Sequence, residues 1–117
     1  MDTKLKIRSK KMRRGAEGQR CTYCGCQDGT IVGAHYQGFR SHQFGKGTGT
    51  KPHDLCIADL CFRCHTKFDM SETSTLADPI LRRIDESEQF MFCILMTIIR
   101  RAKQGILYTD DMSLGGK

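Results

Sequence analysis

The chain has 117 residues, 38% of them hydrophobic, with twelve Gly and no Trp; at this length it holds one small domain whose apolar core is barely sufficient unaided. Nineteen Lys and Arg against thirteen Asp and Glu leave a net charge of +6 and a pI near 9.1, which points to a polyanionic partner. The longest apolar run, Phe90 to Ile99, falls short of the roughly 18 to 20 residues that cross a bilayer, so no membrane role is expected. An odd cysteine count of seven behind a basic, polar first twenty residues argues against a secreted disulfide scaffold. A cytoplasmic, intracellular location is expected.

In chain order, residues 1–18 read as a basic N-terminal arm. Lys4, Lys6, Arg8, Lys10, Lys11, Arg13 and Arg14 have too few apolar residues between them to bury the segment. From Gln19 to Asp28, Cys21-x-x-Cys24 is set among Gly25 and Gly29, the turn chemistry of a metal knuckle. Thr30-Ile31-Val32 is then β-favourable and ends near His35. Residues 37–53 carry Gly38, Gly45, Gly47 and Gly49 with Arg40, His42, Lys46, Lys51 and His53 and read as a long basic loop. A second short apolar segment, Asp54 to Leu60, leads into Cys61-x-x-Cys64, and Phe62 to Asp69 fits a short helix. Asp78-Pro79 supplies an N-cap and an N1 proline, and Gly105 a stop, for a long helix over 79–104. Its 90–99 segment is apolar nearly all round, which predicts burial on more than one face and a homodimer contact. The domain proper spans 19–107, and 108–117 reads as a flexible tail.

The chemistry-bearing residues are concentrated at the knuckles. Zn²⁺ takes four ligands in a tetrahedron, and two C-x-x-C turns in a short chain supply them, so Cys21, Cys24, Cys61 and Cys64 are expected to hold a structural zinc. Cys26 is an alternative to Cys24; Cys56 and Cys93 lie in apolar runs and read as core residues. His65 and Asp69, one helical turn apart, share a helix face. On spacing alone they fit a divalent-ion site and a capping histidine beside a solvated aspartate equally well. The glycine loop is no P-loop, because Gly-Lys-Gly-Thr-Gly-Thr-Lys-Pro lacks the terminal Gly-Lys-Ser/Thr order. It reads instead as a phosphate contact through Lys46 and Lys51 or as a plain solvated loop. Tyr36, Phe39 and Phe44, interleaved with Arg40 and Lys46, read either as base-stacking residues or as minor core.

Cys-x-x-Cys, a histidine, then Cys-x-x-Cys-His resembles the HNH endonuclease superfamily. More narrowly, Ala34-His35, Gly47-Thr48-Gly49-Thr50-Lys51-Pro52, Asp54-Leu55 and Cys61-x-x-Cys64-His65-x-x-x-Asp69 look like the small prophage-encoded YbcO-like nucleases. The likeness covers roughly residues 20 to 107. It implies an α+β, zinc-stabilised treble-clef or ββα-metal core with a long C-terminal helix, and metal-dependent hydrolysis of DNA phosphodiesters in phage or prophage DNA processing.

Carried over, His35 is the general base and His65 a ligand, with Asp69, of a catalytic Mg²⁺ or Mn²⁺. His42 or His53 is a reserve ligand. The family pattern has an acidic residue or histidine where Ala34 stands, and an asparagine that orients the base. Its nearest substitutes are Asp54 first, then His53 or Asp59. DNA would be held by Arg40, Lys46, Lys51, Lys10, Lys11, Arg13 and Arg14. Two other readings use the same residues: a non-catalytic zinc-ribbon module binding DNA or RNA, and an adaptor docking through the 90–99 helix.

Overall fold

The computed structural model describes residues 7–47 and 49–107. The first six residues of the arm, Thr48 and the expected 108–117 tail lie outside the described residues. In chain order come α1 (Lys10–Arg14), β1 (Val32–His35), a 3₁₀ turn (Ser41–Phe44), β2 (Ile57–Leu60), α2 (Phe62–Asp69) and α3 (Pro79–Lys103). The architecture is α+β, with one two-stranded sheet. No described helix is long and apolar enough to cross a membrane.

The strands pair antiparallel, Val32 with Leu60, Gly33 with Asp59, Ala34 with Ala58 and His35 with Ile57. Pairing continues one residue further, where the Tyr36 N–H donates to the Cys56 carbonyl at 3.0 Å. Because side chains alternate along a strand, Ala34, Tyr36, Ala58 and Leu60 share one face, and Gly33, His35, Ile57 and Asp59 the other. The first face meets the core, where these four residues cluster with Cys61, Cys64, Phe90 and Cys93. Aromatic edges interlock there: Phe68 and Phe90 centroids lie 4.9 Å apart, and those of Tyr36 and Phe90 5.9 Å. The long helix therefore covers the same face as α2.

The second face is covered by α1, against the expectation of a free arm. Ser9 caps the helix by accepting from the Met12 N–H, and Met12 and Ala16 are buried. Approach is close because Gly33 has no side chain. A Cβ there would stand 2.9 Å from Ile57 Cδ1 and 3.5 Å from the Arg13 carbonyl oxygen. Met12 and Ala16 thus dock the segment onto the hairpin.

Asp78 Oδ1 accepts from the Ile80 and Leu81 N–H groups at 2.9 and 3.0 Å, and Gly105 turns away at φ 74°. The predicted caps of α3 therefore both operate. The prediction of burial on more than one face fails. Phe90, Cys93, Thr97 and Arg101 form the single buried row of the helix, while Phe92, Leu95 and Ile99 are each more than half exposed. The sheet and α2 pack on one side of the helix, and the opposite side is left to solvent.

Asp59 ties the elements together. Its carboxylate accepts from Arg101 Nη2 at 2.5 Å, from Arg101 Nη1 at 2.9 Å and from Arg100 Nη1 at 2.8 Å. Arg101, wholly buried, also donates through Nε to the Met12 carbonyl at 2.8 Å, and joins α1, β2 and α3. Gly15 is required beside it, since a Cβ there would fall 2.5 Å from Arg101 Nε. Removing one partner of a buried ion pair strands the other without solvation. Arg101→Met is expected to lower unfolding stability by about 3–5 kcal/mol, read from urea denaturation.

Candidate functional site

The knuckles meet. The sulfur atoms of Cys21, Cys24, Cys61 and Cys64 all lie within 4.8 Å of one another, with Cys24 Sγ 3.8 Å from Cys61 Sγ. A tetrahedron of thiolates around an ion at about 2.3 Å has edges of about 3.8 Å, so this cluster has the dimensions of a metal site. Each turn is built alike. The Cys24 N–H points at Cys21 Sγ at 3.4 Å and the Cys64 N–H at Cys61 Sγ at 3.5 Å. Gly25, at φ 83°, closes the first turn, its N–H donating to the Cys21 carbonyl at 2.9 Å. In the second turn Cys61 is also the N-cap of α2.

Between Cys24 and Cys26 the geometry discriminates. The Cys26 backbone N–H donates to Cys24 and pulls that thiol below its usual value. Cys26 is pushed up to about 12 by desolvation and by the neighbouring Cys24 and Cys61. It is the sulfur geometry that decides: Cys24 lies in the four-sulfur group, while Cys26 falls in a separate, three-membered group with Asp28 and Cys61. Burial and crowding by the other three sulfurs raise Cys64. A cation among them removes that repulsion. Cys93 is buried in the core and Cys56 half-buried, and among the described residues neither joins a group of potential metal ligands.

On the other face of the hairpin, His35 Nε2 lies 2.8 Å from Asp54 Oδ1, an acceptor nineteen residues away in sequence. Burial works against ionisation of Asp54, but the His35 ring, the Ser9 N–H and the Arg13 guanidinium outweigh it and hold the carboxyl below its usual value. An ionised carboxylate only accepts, so Nε2 carries the ring proton and Nδ1 has the free lone pair. Burial also pushes His35 below the usual histidine value; Asp54 opposes this, and the Lys51 and Arg8 charges reinforce it. At neutral pH the ring is an uncharged base.

Arg13, Arg8 and Lys51 surround the pair. Arg13 binds Asp54 Oδ2, Arg8 Nη1 stands 3.5 Å from Oδ1, and the Ser9 N–H donates to Oδ2 at 2.7 Å. Arg8 also donates to the Pro52 carbonyl at 2.5 Å and the Lys51 carbonyl at 2.7 Å. The Asp54 N–H donates to the Ile7 carbonyl at 2.8 Å, and the Ile7 N–H to His53 Nδ1 at 2.9 Å. Residues 7–9 are therefore sealed along 51–54. The seal leaves the side chains of His35 8% and Asp54 1% exposed. The roles of Arg8 and Ser9 were not evident from sequence, where the basic run was the one sign and the contacts span some 45 residues.

The structure separates other candidates. His65 Nε2 and Asp69 Oδ2 lie 3.6 Å apart as an i, i+4 pair, and among the described residues neither joins a group of three or more potential metal ligands. Asp69 opens on a cleft of about 450 Å³, lined also by Tyr36, Phe39, Phe68, Arg83 and Glu86, on the Tyr36 face of the hairpin. His53 is tied to Ile7, and His42 Nδ1 to the Lys46 carbonyl at 3.2 Å, so neither supplements that pair. Asp59 belongs to Arg100 and Arg101, not to His35. Tyr36 is fully buried and Phe44 packs on it edge-on, so both are core. Phe39 is exposed but covered by Arg83, 4.1 Å from its centroid.

Of the expected nucleic-acid contacts, Lys10, Lys11, Arg14, Arg40 and Lys51 are exposed. Arg14 pairs with Glu17 at 3.1 Å, and Lys46 donates to Gln37 at 2.7 Å. Arg13 is committed to Asp54. Comparison with family models, curated proteins and solved structures finds no match to this chain.

Because the four sulfurs fasten the knuckle before β1 to the start of α2, removing a metal from them is expected to unfold the chain. Elemental analysis should find one metal per chain. Cys61→Ser should lose it and shift thermal unfolding downward by at least about 10 °C, or prevent folding. A metal-free Cys61→Ser chain that melts like the parent would show the cluster to be dispensable.

Proposed function

We propose that the chain is an HNH-type, metal-dependent DNA endonuclease, with Zn²⁺ in the four-cysteine cluster as a structural ion. The observation that carries this reading is the His35–Asp54 couple: an oriented, uncharged imidazole at a strand end, with Arg8, Arg13 and Lys51 around it. A base among fixed cations suits a phosphodiester, whose charge the cations attract while the ring accepts a proton from water. The order β1, β2, α2, with one knuckle at α2, is that expected of a ββα-metal core. Zn²⁺ suits four thiolates in a tetrahedron and brings no redox chemistry to a scaffold.

In this reading His35 Nδ1 takes the proton, and Asp54 fixes the ring and stabilises it once protonated. Lys10, Lys11, Arg14 and Lys51 hold the backbone of the DNA. His65 and Asp69 would supply two of the roughly six ligands of Mg²⁺ or Mn²⁺, phosphate oxygens and water the rest. Such an ion would offset charge on a leaving oxygen, but the cleft of Asp69 lies across the hairpin from His35, so the two reach one phosphate only after a rearrangement.

A non-catalytic zinc-ribbon module that binds DNA or RNA is the second reading, and two observations favour it. The His35 ring is almost closed off by residues 7–9, and the cleft of Asp69 lies on the opposite face of the hairpin. A nuclease would need residues 7–9 to lift for water to reach Nδ1.

Supercoiled plasmid with Mg²⁺ or Mn²⁺ separates the two. The nuclease reading expects nicking, reduced about 10²- to 10⁴-fold by His35→Ala. Neutral His35 is the active form, so the rate should rise with pH through its pKa, with a midpoint below about 6.5, and stay level near neutrality. Binding without cleavage under every divalent ion would leave the second reading standing. Either reading expects affinity to fall steeply with salt, and Lys10→Ala with Lys11→Ala to flatten that slope by about two.

A further inference from the structure

Opposite its buried row, α3 presents a second row to solvent. Phe92 is 54%, Leu95 60%, Met96 42% and Ile99 52% exposed, with exposed Glu88 and Lys103 four residues before and after them; Leu81 at 54% and Ile84 at 51% continue the same side toward the start of the helix. At about 100° per residue the six from Glu88 to Lys103 fall within an arc of about 100°, on the far side of the helix from Phe90, Cys93, Thr97 and Arg101. Four large apolar side chains in one exposed stripe on a chain this small are a contact surface, not scattered surface residues.

The stripe has an internal symmetry that identifies its occupant. From Glu88 the steps to Phe92, Leu95, Met96, Ile99 and Lys103 are four, three, one, three and four residues, the same in either direction. Turned about a twofold axis between Leu95 and Met96, the helix sets Phe92 against Ile99, Leu95 against Met96 and Glu88 against Lys103. We infer that α3 pairs antiparallel with α3 of a second copy of this chain, in this register.

An isologous contact needs a patch complementary to itself, and this one is so in both shape and charge. A parallel pairing would oppose Glu88 to Glu88 and Lys103 to Lys103, which is repulsive at both ends. Arg101 and Arg100 do not enter, because Asp59 holds them on the other side of the helix. Two such stripes make a contact at the small end of specific interfaces, so the dimer should dissociate on dilution.

Sedimentation of the full chain from about 1 to 200 μM tests this directly, a span that brackets a weak specific contact. The expected mass approaches twice 13.3 kDa at the top of the range and falls toward one chain at the bottom. Leu95→Glu should hold the chain at one copy with an unchanged circular dichroism spectrum, since that side chain lies mostly in solvent. Glu88→Lys and Lys103→Glu should each weaken the dimer by about three- to tenfold, and the two together should restore it.

A single copy at every concentration overturns the dimer. A dimer indifferent to Leu95→Glu places the contact elsewhere and also overturns the inference. Failure of the paired exchange to restore association overturns the antiparallel register. None of these outcomes depends on DNA cleavage, so the contact and the nuclease reading can fail separately.

Discussion

Asp59 has no exposed surface, and its polar groups are all taken, by α3 and by the first knuckle. Its N–H donates to Thr97 Oγ1 of α3 at 2.9 Å, and its carbonyl accepts from the Thr22 N–H and hydroxyl of the first knuckle, each at 2.8 Å. Its carboxylate takes Arg100 and Arg101, and Arg101 reaches on to α1. A charge in so small a core is tolerated because both ions are fully satisfied. This pair fixes where α3 crosses β2 and where α1 lies on the hairpin; the thiolate cluster and the His35–Asp54 couple are positioned from that frame.

The hairpin divides the molecule by chemistry. One face carries the aromatic core and backs onto the knuckles, so whatever ion the sulfurs hold stabilises the scaffold from that side. The other face carries His35 under the N-terminal segment, with cations brought in by α1. A single two-stranded sheet thus supports a cluster of thiols on one side and a cationic, hydrogen-bonded environment on the other without mixing them. The proposed base owes its low proton affinity to the same burial that restricts access to it. Reactivity and accessibility are opposed here, and the hydrogen bonds of residues 7–9 to 51–54 set the balance between them.

The long helix is packed on one side only. The sheet and α2 cover the Phe90–Arg101 row, and the apolar row on the far side of the helix is left facing water; that row is where the proposed second copy would pack.

The paired C-x-x-C spacings, the α3 caps at Asp78, Pro79 and Gly105 and the β1–β2–α2 order were legible in the sequence, because each rests on local chemistry. The pairing of His35 with Asp54, nineteen residues on, was expected only from the family resemblance. Three things were not legible: the docking of α1, the roles of Arg8 and Arg101, and the half-exposure of α3. A basic run looks like an arm until the space left above Gly33 admits Met12 and Ala16. An apolar helix looks buried until it is known which of its sides the other elements reach. Composition and spacing determined which groups this chain has to place. Only the tertiary structure decided which distant contacts form, from Arg13 with Asp54 to Arg101 with Met12, because those depend on the volume left between elements and on which charge is nearest when water is excluded.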